Sequence, residues 1–337
     1  MYSALFALLR RLDPEWTHEA GMAVIRAAGL PGVRSLVAGS WSPSASSATT
    51  AMGLRFRTPF GLAAGFDKNA VAVAGLGALG FGHVEVGTVT PKAQPGNPSP
   101  RLFRLPEDKG LINRMGFNND GVAQMASRLR AVRKLPDRPV VGVNIGKNRA
   151  TPAEEATADY VHVTREISRL ADYLVINVSS PNTPGLRALG DVSQLEPLVE
   201  AVIAEAGSTP VLVKVSPDAA DEELVDVAEF VASSQLAGLV ATNTTVRREG
   251  LVTPAERVAR MGDGGVSGAP LATRSREVLS LVRDALGEKC IISVGGVMTG
   301  ADVRARLDAG ADLVQAYTAF VYRGPLLARH IDREMAA

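Results

Sequence analysis

The stretch Tyr173-Leu174-Val175-Ile176-Asn177-Val178-Ser179-Ser180-Pro181-Asn182-Thr183 decides the fold, because an apolar run leads directly into a cluster of uncharged hydrogen-bonding side chains. The apolar part is typical of a buried strand, and the polar part provides two amides, three hydroxyl groups and a proline that stiffens the chain. This set of groups suits a flat polar ligand better than a metal ion. Taken alone, the polar part could equally be an Asx or Ser/Thr turn that caps a helix. Because the same pattern recurs along the chain, we interpret the stretch as a barrel strand that ends in an active site.

From about residue 51 onward, short apolar runs alternate with longer segments of helical periodicity. The predicted strands are residues 60–64, 83–86, 140–144, 173–177, 211–215, 239–242, 291–294 and 313–317. Continuous apolar strands separated by helices indicate a parallel sheet covered on both faces, and eight such units predict an α/β fold, the (β/α)₈ TIM barrel. A doubly wound open sheet is the alternative. The barrel is favoured because no Gly-x-Gly-x-x-Gly follows the first strand and polar residues end nearly every strand.

The first 45 residues are predicted to form a small N-terminal helical domain, arranged as a hairpin of two helices. Apolar residues recur at helical spacing, as Leu5, Leu8, Leu9 and Leu12 in the first helix and Trp16, Ala20, Val24 and Ala27 in the second. For the second helix, Asp13 is predicted to be the N-cap and Pro14 the first helical residue. The same helix is predicted to end near Gly29. Residues 42–50 are small and polar, as in a linker. We therefore expect domains at residues 1–45 and 46–337.

Composition narrows the class of protein. The chain has 337 residues, of which 46% are hydrophobic and 21% charged, and its formal net charge is +1. We expect a globular protein with a large core and no nucleic-acid partner. Cys290, the lone cysteine, lies in an apolar run and is predicted to be a buried, inert thiol in a reducing cytosolic setting. No apolar run reaches the length of a membrane-spanning helix, and Arg10-Arg11 follow the first apolar stretch rather than precede it, unlike a signal peptide.

The strand ends supply the candidate chemistry. Lys68 follows the first strand and Lys214 lies inside the fifth, which indicates an anionic ligand or a cofactor that acquires negative charge. Gly295-Gly296 and Tyr317-Thr318 follow the last two strands, where TIM barrels often bind phosphate, although a glycine pair can also be a tight turn. The glycine-rich residues 264–268 favour the phosphate site. No metal site is predicted.

Four longer motifs occur in order along the chain: Ala63-Ala64-Gly65-Phe66-Asp67-Lys68-Asn69, Gly110-Leu111-Ile112-Asn113-Arg114-Met115-Gly116-Phe117-Asn118-Asn119, Asn177-Val178-Ser179-Ser180-Pro181-Asn182-Thr183 and Ser293-Val294-Gly295-Gly296-Val297. Together they resemble those of dihydroorotate dehydrogenases, most closely class 2, the quinone-dependent, membrane-associated form. Class 1 members carry a cysteine as catalytic base and lack the N-terminal helices. Here Ser180 is at the matching position and the helices are predicted, so class 2 fits better.

The resemblance implies that the protein oxidises dihydroorotate to orotate, with FMN as hydride acceptor and a membrane quinone, ubiquinone or menaquinone, as terminal acceptor, in pyrimidine biosynthesis. Ser180 would be the catalytic base, with Thr183 and Phe117 on its proton route. The implied substrate-binding residues are Lys68, Asn113, Arg114, Met115, Gly116, Phe117, Asn177, Asn182, Asn243 and Thr244. The implied FMN-binding residues are Ala64, Gly65, Phe66, Asp67, Lys68, Thr88, Asn144, Asn177, Lys214, Thr242, Gly268, Gly296, Tyr317 and Thr318.

By the same resemblance, the helical hairpin would form the mouth of a quinone tunnel and touch the cytoplasmic face of the cell membrane. Residues 1–45 carry a net of one positive charge, so we expect a peripheral association that depends mainly on apolar insertion. The proline- and glycine-rich loop at residues 92–113 is a candidate lid, judged from its position.

Three alternatives remain open at this point. A class 1-type enzyme would use a soluble acceptor. A Schiff-base lyase on the same barrel would use Lys214 as its nucleophile. A lipid-binding protein would use the N-terminal hairpin without catalysis.

Overall fold

A computed structural model describes residues 2–39, 41, 43, 47–183 and 185–336. The strands are β1 Thr49–Ala51, β2 Leu54–Phe56, β3 Phe60–Leu62, β4 His83–Val89, β5 Leu102–Leu105, β6 Gly110–Asn113, β7 Val140–Ile145, β8 Tyr173–Asn177, β9 Val211–Val215, β10 Gly238–Ala241, β11 Gly265–Gly268, β12 Cys290–Val294 and β13 Leu313–Ala316. The α-helices are α1 Tyr2–Leu9, α2 Pro14–Ala28, α3 Val33–Ala38, α4 Val73–Leu79, α5 Val122–Arg133, α6 Ala156–Ile167, α7 Val192–Ala206, α8 Asp221–Ser233, α9 Ala255–Met261, α10 Ala272–Leu286, α11 Gly300–Asp308, α12 Thr318–Arg323 and α13 Leu327–Ala336.

Eight strands close into a parallel barrel in the order β3, β4, β7, β8, β9, β10, β12, β13 and back to β3. These are the eight strands predicted from the sequence, and the TIM-barrel prediction is confirmed. Helices α4, α5, α6, α7, α8, α10 and α11 each connect one barrel strand to the next and cover the outside. Every residue of β8 and of β9 is buried, as expected for strands enclosed on both faces. All strand carboxyl ends therefore meet at one end of the barrel.

The amino end of the barrel is closed by the antiparallel hairpin of β1 and β2. Phe56 is fully buried there, with its ring edge against His83 at the start of β4, 5.5 Å between centroids. Cys290, the first residue of β12, belongs to the same apolar cluster, and burial raises the pKa of its thiol, as predicted for an inert group. The predicted linker at residues 42–50 is wrong at its end, since Thr49 and Thr50 are in β1.

A second, three-stranded antiparallel sheet lies at the carboxyl end of the barrel, in the order β11, β6, β5. The register pairs Leu111 with Ser267 and Gly110 with Gly268, so segments about 150 residues apart in sequence form one layer. The prediction of a loop over residues 92–113 is wrong in this respect, because β5 and β6, of four residues each, lie within it. Both segments are short and mainly apolar, and Leu105 and Ile112 are fully buried, so packing of these side chains stabilises the strands.

Helices α1, α2 and α3 precede the barrel, and the predicted start of α2 is correct. The Asp13 side chain accepts hydrogen bonds from the backbone of Glu15 (3.0 Å) and Trp16 (2.8 Å), and Pro14 occupies the first helical position. α3 was not predicted. The expected domain boundary, between residues 45 and 46, falls outside the residues that the structure describes.

The apolar stripe predicted for α2 faces away from the barrel. Trp16 is 57% exposed and Val24 is 70% exposed, whereas Ile25 on the opposite side is buried against the barrel. The sequence pattern identified the helix correctly, and the structure adds that its apolar stripe is a surface.

Candidate active site

A cavity of about 1050 Å³, counted with its open mouth, lies at the carboxyl end of the barrel beneath the sheet of β5, β6 and β11. The predicted site residues that line it are Ala64, Gly65, Lys68, Thr88, Asn113, Met115, Gly116, Phe117, Asn177, Ser180, Asn182, Lys214, Thr242, Asn243, Thr244, Gly268, Gly296, Tyr317 and Thr318. Residues from all parts of the barrel thus meet in one enclosure because parallel strands end on the same side.

A network of side-chain amides forms one wall. Asn177 Nδ2 donates to Asn144 Oδ1 (3.0 Å) and to Thr88 Oγ1 (3.1 Å), and Asn144 Nδ2 donates to Glu85 Oε1 (2.8 Å). Asn243 Nδ2 donates to the side-chain oxygen Asn177 Oδ1 at 3.4 Å. Each amide is therefore fixed in orientation, which presents a defined order of donors and acceptors to a planar polar ring.

Lys214 is only 5% exposed and faces the cavity from the fourth position of β9. Among the residues that the structure describes, its Nζ has no hydrogen-bond or ion-pair partner. Burial lowers its pKa, and the Glu85 carboxylate acts in the opposite direction. A buried cation without a protein partner is costly unless a ligand compensates it, so this side chain indicates an anionic ligand atom in the cavity.

Lys68 lies on the opposite side of the cavity, after β3. Its Nζ donates to the Gly65 carbonyl at 2.8 Å. Burial and, next, the nearby Arg101 lower its pKa to about 8, while Glu15 and Asp67 act in the opposite direction. The ammonium form still predominates at neutral pH and has free donors for a carboxylate.

The Ser180 loop follows β8. The Ser180 side chain is buried, and its Oγ accepts a hydrogen bond from the Asn182 backbone at 3.3 Å. The Asn182 amide reaches Asn113 Oδ1 of β6 at 3.4 Å, which ties the loop to the overlying sheet. Thr183 Oγ1 is buried and has no partner within the described residues. An unpaired hydroxyl close to Ser180 is available to relay a proton.

Glycines form the far end of the cavity. A Cβ at Gly296 would lie 2.3 Å from the Ala272 Cα, and one at Gly268 would lie 2.3 Å from the Lys109 carbonyl oxygen. Both residues also have positive φ, of +73° and +92°. Ser267 Oγ and Thr318 Oγ1 are 2.8 Å apart beside them. Close packing and positive φ therefore require glycine at both positions. Both backbones line the cavity beside these two hydroxyl groups, and N–H and hydroxyl donors are the groups that bind phosphate.

Four predicted site residues do not line the cavity: Phe66, Asp67, Arg114 and Asn144. Asp67 is fully buried and accepts hydrogen bonds from the backbone of residues 71 and 72, at 2.9 and 2.8 Å. Phe66 packs edge-on against Tyr317, with 5.5 Å between ring centroids. Arg114 stacks over Phe103 and donates to the carbonyl groups of residues 100, 261 and 263. These side chains shape the cavity wall, and Asn144 acts through the amide network.

Some cavity residues were missed from the sequence, namely Ala63, Leu102, Leu111, Leu271, Val294, Val297 and Ala316, whereas Gly295 and Ser267 lie in the segments expected at the phosphate site. The buried pair beneath the amide network was missed as well: Gln315 Nε2 donates to Glu85 Oε2 at 2.9 Å. Both residues interrupt apolar strand runs, as Lys214 does, and that interruption was the available signal.

Comparison with known proteins agrees with this geometry. The family model for dihydroorotate dehydrogenase matches residues 46–337. A relative from Leifsonia xyli subsp. xyli, "Dihydroorotate dehydrogenase (quinone)", is 56% identical over 100% of this chain and 99% of its own length. A relative of the same name from Clavibacter michiganensis subsp. michiganensis is 55% identical over 98% and 97%. The crystal structure of DHODH from Eimeria tenella in complex with ferulenol has a TM-score of 0.88 and 38% identity, over 96% of this chain and 90% of that chain. The chain belongs to the dihydroorotate dehydrogenase family of enzymes, in its quinone-dependent class 2.

Proposed function

We propose that this protein oxidises (S)-dihydroorotate to orotate, with FMN as hydride acceptor and a membrane quinone as terminal electron acceptor, as a step of de novo pyrimidine biosynthesis. The observation that carries the proposal is that one cavity brings together a buried serine, a set of oriented amides and two lysines on opposite sides. FMN, when bound, would supply the hydride-accepting ring.

The residues present fit FMN. Lys214, buried and unpartnered, suits the side of a flavin that becomes negatively charged on reduction. The amides of Asn177 and Asn144, held by Thr88, suit the polar edge of the ring. The backbone of Gly268 and Gly296 lines the cavity beside the hydroxyl groups of Ser267 and Thr318, and this combination suits the phosphate. We assign to the cofactor those of the expected FMN-binding residues that line the cavity. Phe66, Asp67 and Asn144 do not line it and would support the cavity wall from behind.

We assign the substrate to the side of the cavity between Lys68 and the Ser180 loop. Lys68 would pair with the substrate carboxylate. Asn113, Asn177, Asn182, Asn243 and Thr244 would bind the polar edges of the ring, since amides both donate and accept. Ser180 would remove the proton from C5. A serine hydroxyl is a weak base, so its proton needs a relay, for which the buried, unpartnered Thr183 hydroxyl is well suited.

We also propose that residues 1–45 receive the quinone and contact the cytoplasmic face of the membrane. The ring of Phe6 in α1 lies 5.0 Å from that of Tyr322, and His18 in α2 lies 4.8 Å from Phe66 at the cavity wall, so these helices lie beside the site. Their outer surface exposes Leu8, Leu12, Trp16, Val24, Leu30, Val33 and Leu36. Such a concentration of exposed apolar side chains is typical of a membrane-contact surface. Within the described part of the chain, no helix has the length and apolar character to cross a bilayer.

The test of the chemistry is the visible spectrum of the purified protein, recorded anaerobically before and after dihydroorotate is added. We expect flavin bands that bleach with dihydroorotate and return when quinone is supplied. A flavin spectrum that dihydroorotate leaves unchanged would refute the substrate. A protein that neither contains nor takes up FMN would refute the cofactor.

Removal of residues 1–40 tests the role of the helices. Because the cavity is formed by the barrel, we expect dihydroorotate oxidation with a soluble dye to persist while turnover with quinone falls. Equal loss of both activities would contradict the quinone assignment.

Membrane contact is tested by the binding of anionic lipid vesicles to the paired variant Leu8→Ser and Val24→Ser. We expect weaker binding, because each substitution removes apolar surface worth about 1–2 kcal/mol of insertion. Val252→Ser is the matched control, since Val252 is 73% exposed but lies outside the helices. An equal effect of both changes would contradict the proposal.

A further inference from the structure

Arg306 of α11 is a buried cation behind the glycine end of the cavity. Its side chain is among the largest that are fully enclosed, with 1% exposure. The guanidinium donates to Ser293 Oγ at 2.8 Å, to Ser275 Oγ at 2.8 Å and to the Gly295 carbonyl at 2.5 Å. Ser275 Oγ donates to the same carbonyl at 2.7 Å. Two donors thus converge on the oxygen of one peptide group.

This convergence fixes the direction of the Gly295–Gly296 peptide. In a trans peptide the C=O and the following N–H point in opposite directions. The Gly295 oxygen is held toward Arg306, away from the cavity, so the Gly296 N–H points toward the cavity that both glycines line. Within the described residues this N–H donates no hydrogen bond. The fold therefore holds one backbone donor ready for a ligand.

The charge of Arg306 is also unbalanced locally. Its hydrogen-bond partners are all uncharged, and burial lowers its pKa to about 10, with Asp302 acting in the opposite direction. The guanidinium remains positive at neutral pH. A buried cation with only neutral partners is unfavourable unless a nearby anion offsets it.

We propose that Arg306 is a positioning residue for the cofactor phosphate: it aims the Gly296 N–H into the cavity and supplies the positive charge behind the peptide. This inference rests on the proposed FMN function. Its specific consequence is that Arg306 favours FMN over riboflavin, which has the same ring and no phosphate.

The experiment is fluorescence titration of the full-length, flavin-free protein with FMN and, separately, with riboflavin. Arg306→Gln keeps a donor for the Gly295 carbonyl and removes the charge. We expect its affinity for FMN to fall roughly 10- to 100-fold, because a buried positive charge behind the peptide that faces the phosphate is lost. Its affinity for riboflavin should change by less than about threefold, since no phosphate is involved.

Arg306→Lys retains the charge and serves if the glutamine variant does not fold; it should keep most of the preference for FMN. Arg329→Met is the matched control. Within the described residues the hydrogen-bond partners of Arg329 are also uncharged, namely the carbonyl groups of residues 37, 38 and 78, but Arg329 does not line the cavity. It should leave the preference unchanged. If both Arg306 variants weaken the two flavins equally, or leave the preference unchanged, the role of Arg306 is refuted while FMN binding stands. If the unmodified protein does not prefer FMN, both this inference and the proposed cofactor are refuted.

Discussion

At the amino end of the barrel His83 lies against Phe56, and neither of its ring nitrogens has a partner among the described residues. At the carboxyl end Lys214, which has no partner in the same part of the chain, faces a cavity. Both side chains belong to barrel strands, and both are almost fully buried, at 0% and 5% exposure. The β1–β2 hairpin seals the first group away from any ligand, while the second is within reach of one. A buried polar group without a protein partner is unfavourable at either end.

The two ends of the barrel therefore serve different purposes: the carboxyl end serves function and the amino end serves stability. At the carboxyl end, the cost of burying Lys214 can be offset when a ligand binds. At the amino end no ligand can offset the burial of His83, so its effect must appear in the stability of the fold. Substitutions at the two ends should therefore differ in kind as well as in size.

The largest effect is expected for Ser180→Ala at the carboxyl end. Loss of the proposed base should slow anaerobic flavin reduction by dihydroorotate about 10²- to 10⁴-fold, measured by stopped-flow absorbance, with FMN content unchanged. Ser179→Ala is the control, because Ser179 is also buried but its Oγ accepts from Asn243 at 3.0 Å and it does not line the cavity. A similar loss in both variants would mean that loop geometry, and not a base, was removed.

The fold could be predicted from the sequence because barrel strands buried on both faces form apolar runs that stand out between helices. The antiparallel sheet could not, since β6 and β11 pair residues such as Leu111 and Ser267 that are far apart in sequence. Nothing local to either segment indicates that pairing.

Much of the candidate site could also be predicted, because strand ends of a parallel barrel meet in space. What could not be predicted is where a side chain inside a motif points. Asp67 and Lys68 are neighbours, yet one caps the backbone of residues 71 and 72 and the other lines the cavity. Arg114, predicted to bind substrate, does not line the cavity, and its side chain stacks over Phe103 and donates to nearby carbonyl groups.

Lys214→Met should give the next largest effect. We expect this variant to impair the function of the flavin and to raise the stability of the fold. Without the ammonium, the reduced flavin loses a favourable charge interaction, so its midpoint potential should fall by about 30–60 mV. The free energy of unfolding of the flavin-free protein, measured by denaturant titration, should rise by about 1 kcal/mol, because the variant no longer buries an unpaired charge.

Lys147→Met is the matched control for that variant. Lys147 is also buried, with 2% exposure, but its Nζ donates to the Thr151 carbonyl at 2.8 Å and it does not line the cavity. Its substitution should lower stability and leave the potential unchanged. Equal potential shifts in the two variants would contradict the role given to Lys214.

The smallest effect is expected at the amino end, from His83→Leu, and only in acid. Burial lowers the pKa of His83 to about 3 from an ordinary value of 6.5, so between these values the unfolded chain binds a proton that the folded chain does not. This contribution to stability is present above about pH 6.5 and is lost as the pH falls toward 3. At pH 5.5 the loss amounts to about 1.4 kcal/mol.

Leucine cannot take up that proton, so His83→Leu should flatten the fall of the denaturation midpoint between pH 7.5 and 5.5, while flavin reduction stays unchanged. Some acid sensitivity should remain, because burial also lowers the pKa of His18 to about 3. His162→Leu, at an exposed position, is the control and should leave the slope as it is. Parallel pH profiles for His83→Leu and the unmodified protein would mean that the sealed end of the barrel admits a proton or water to His83, and the contrast between the two ends would then fail.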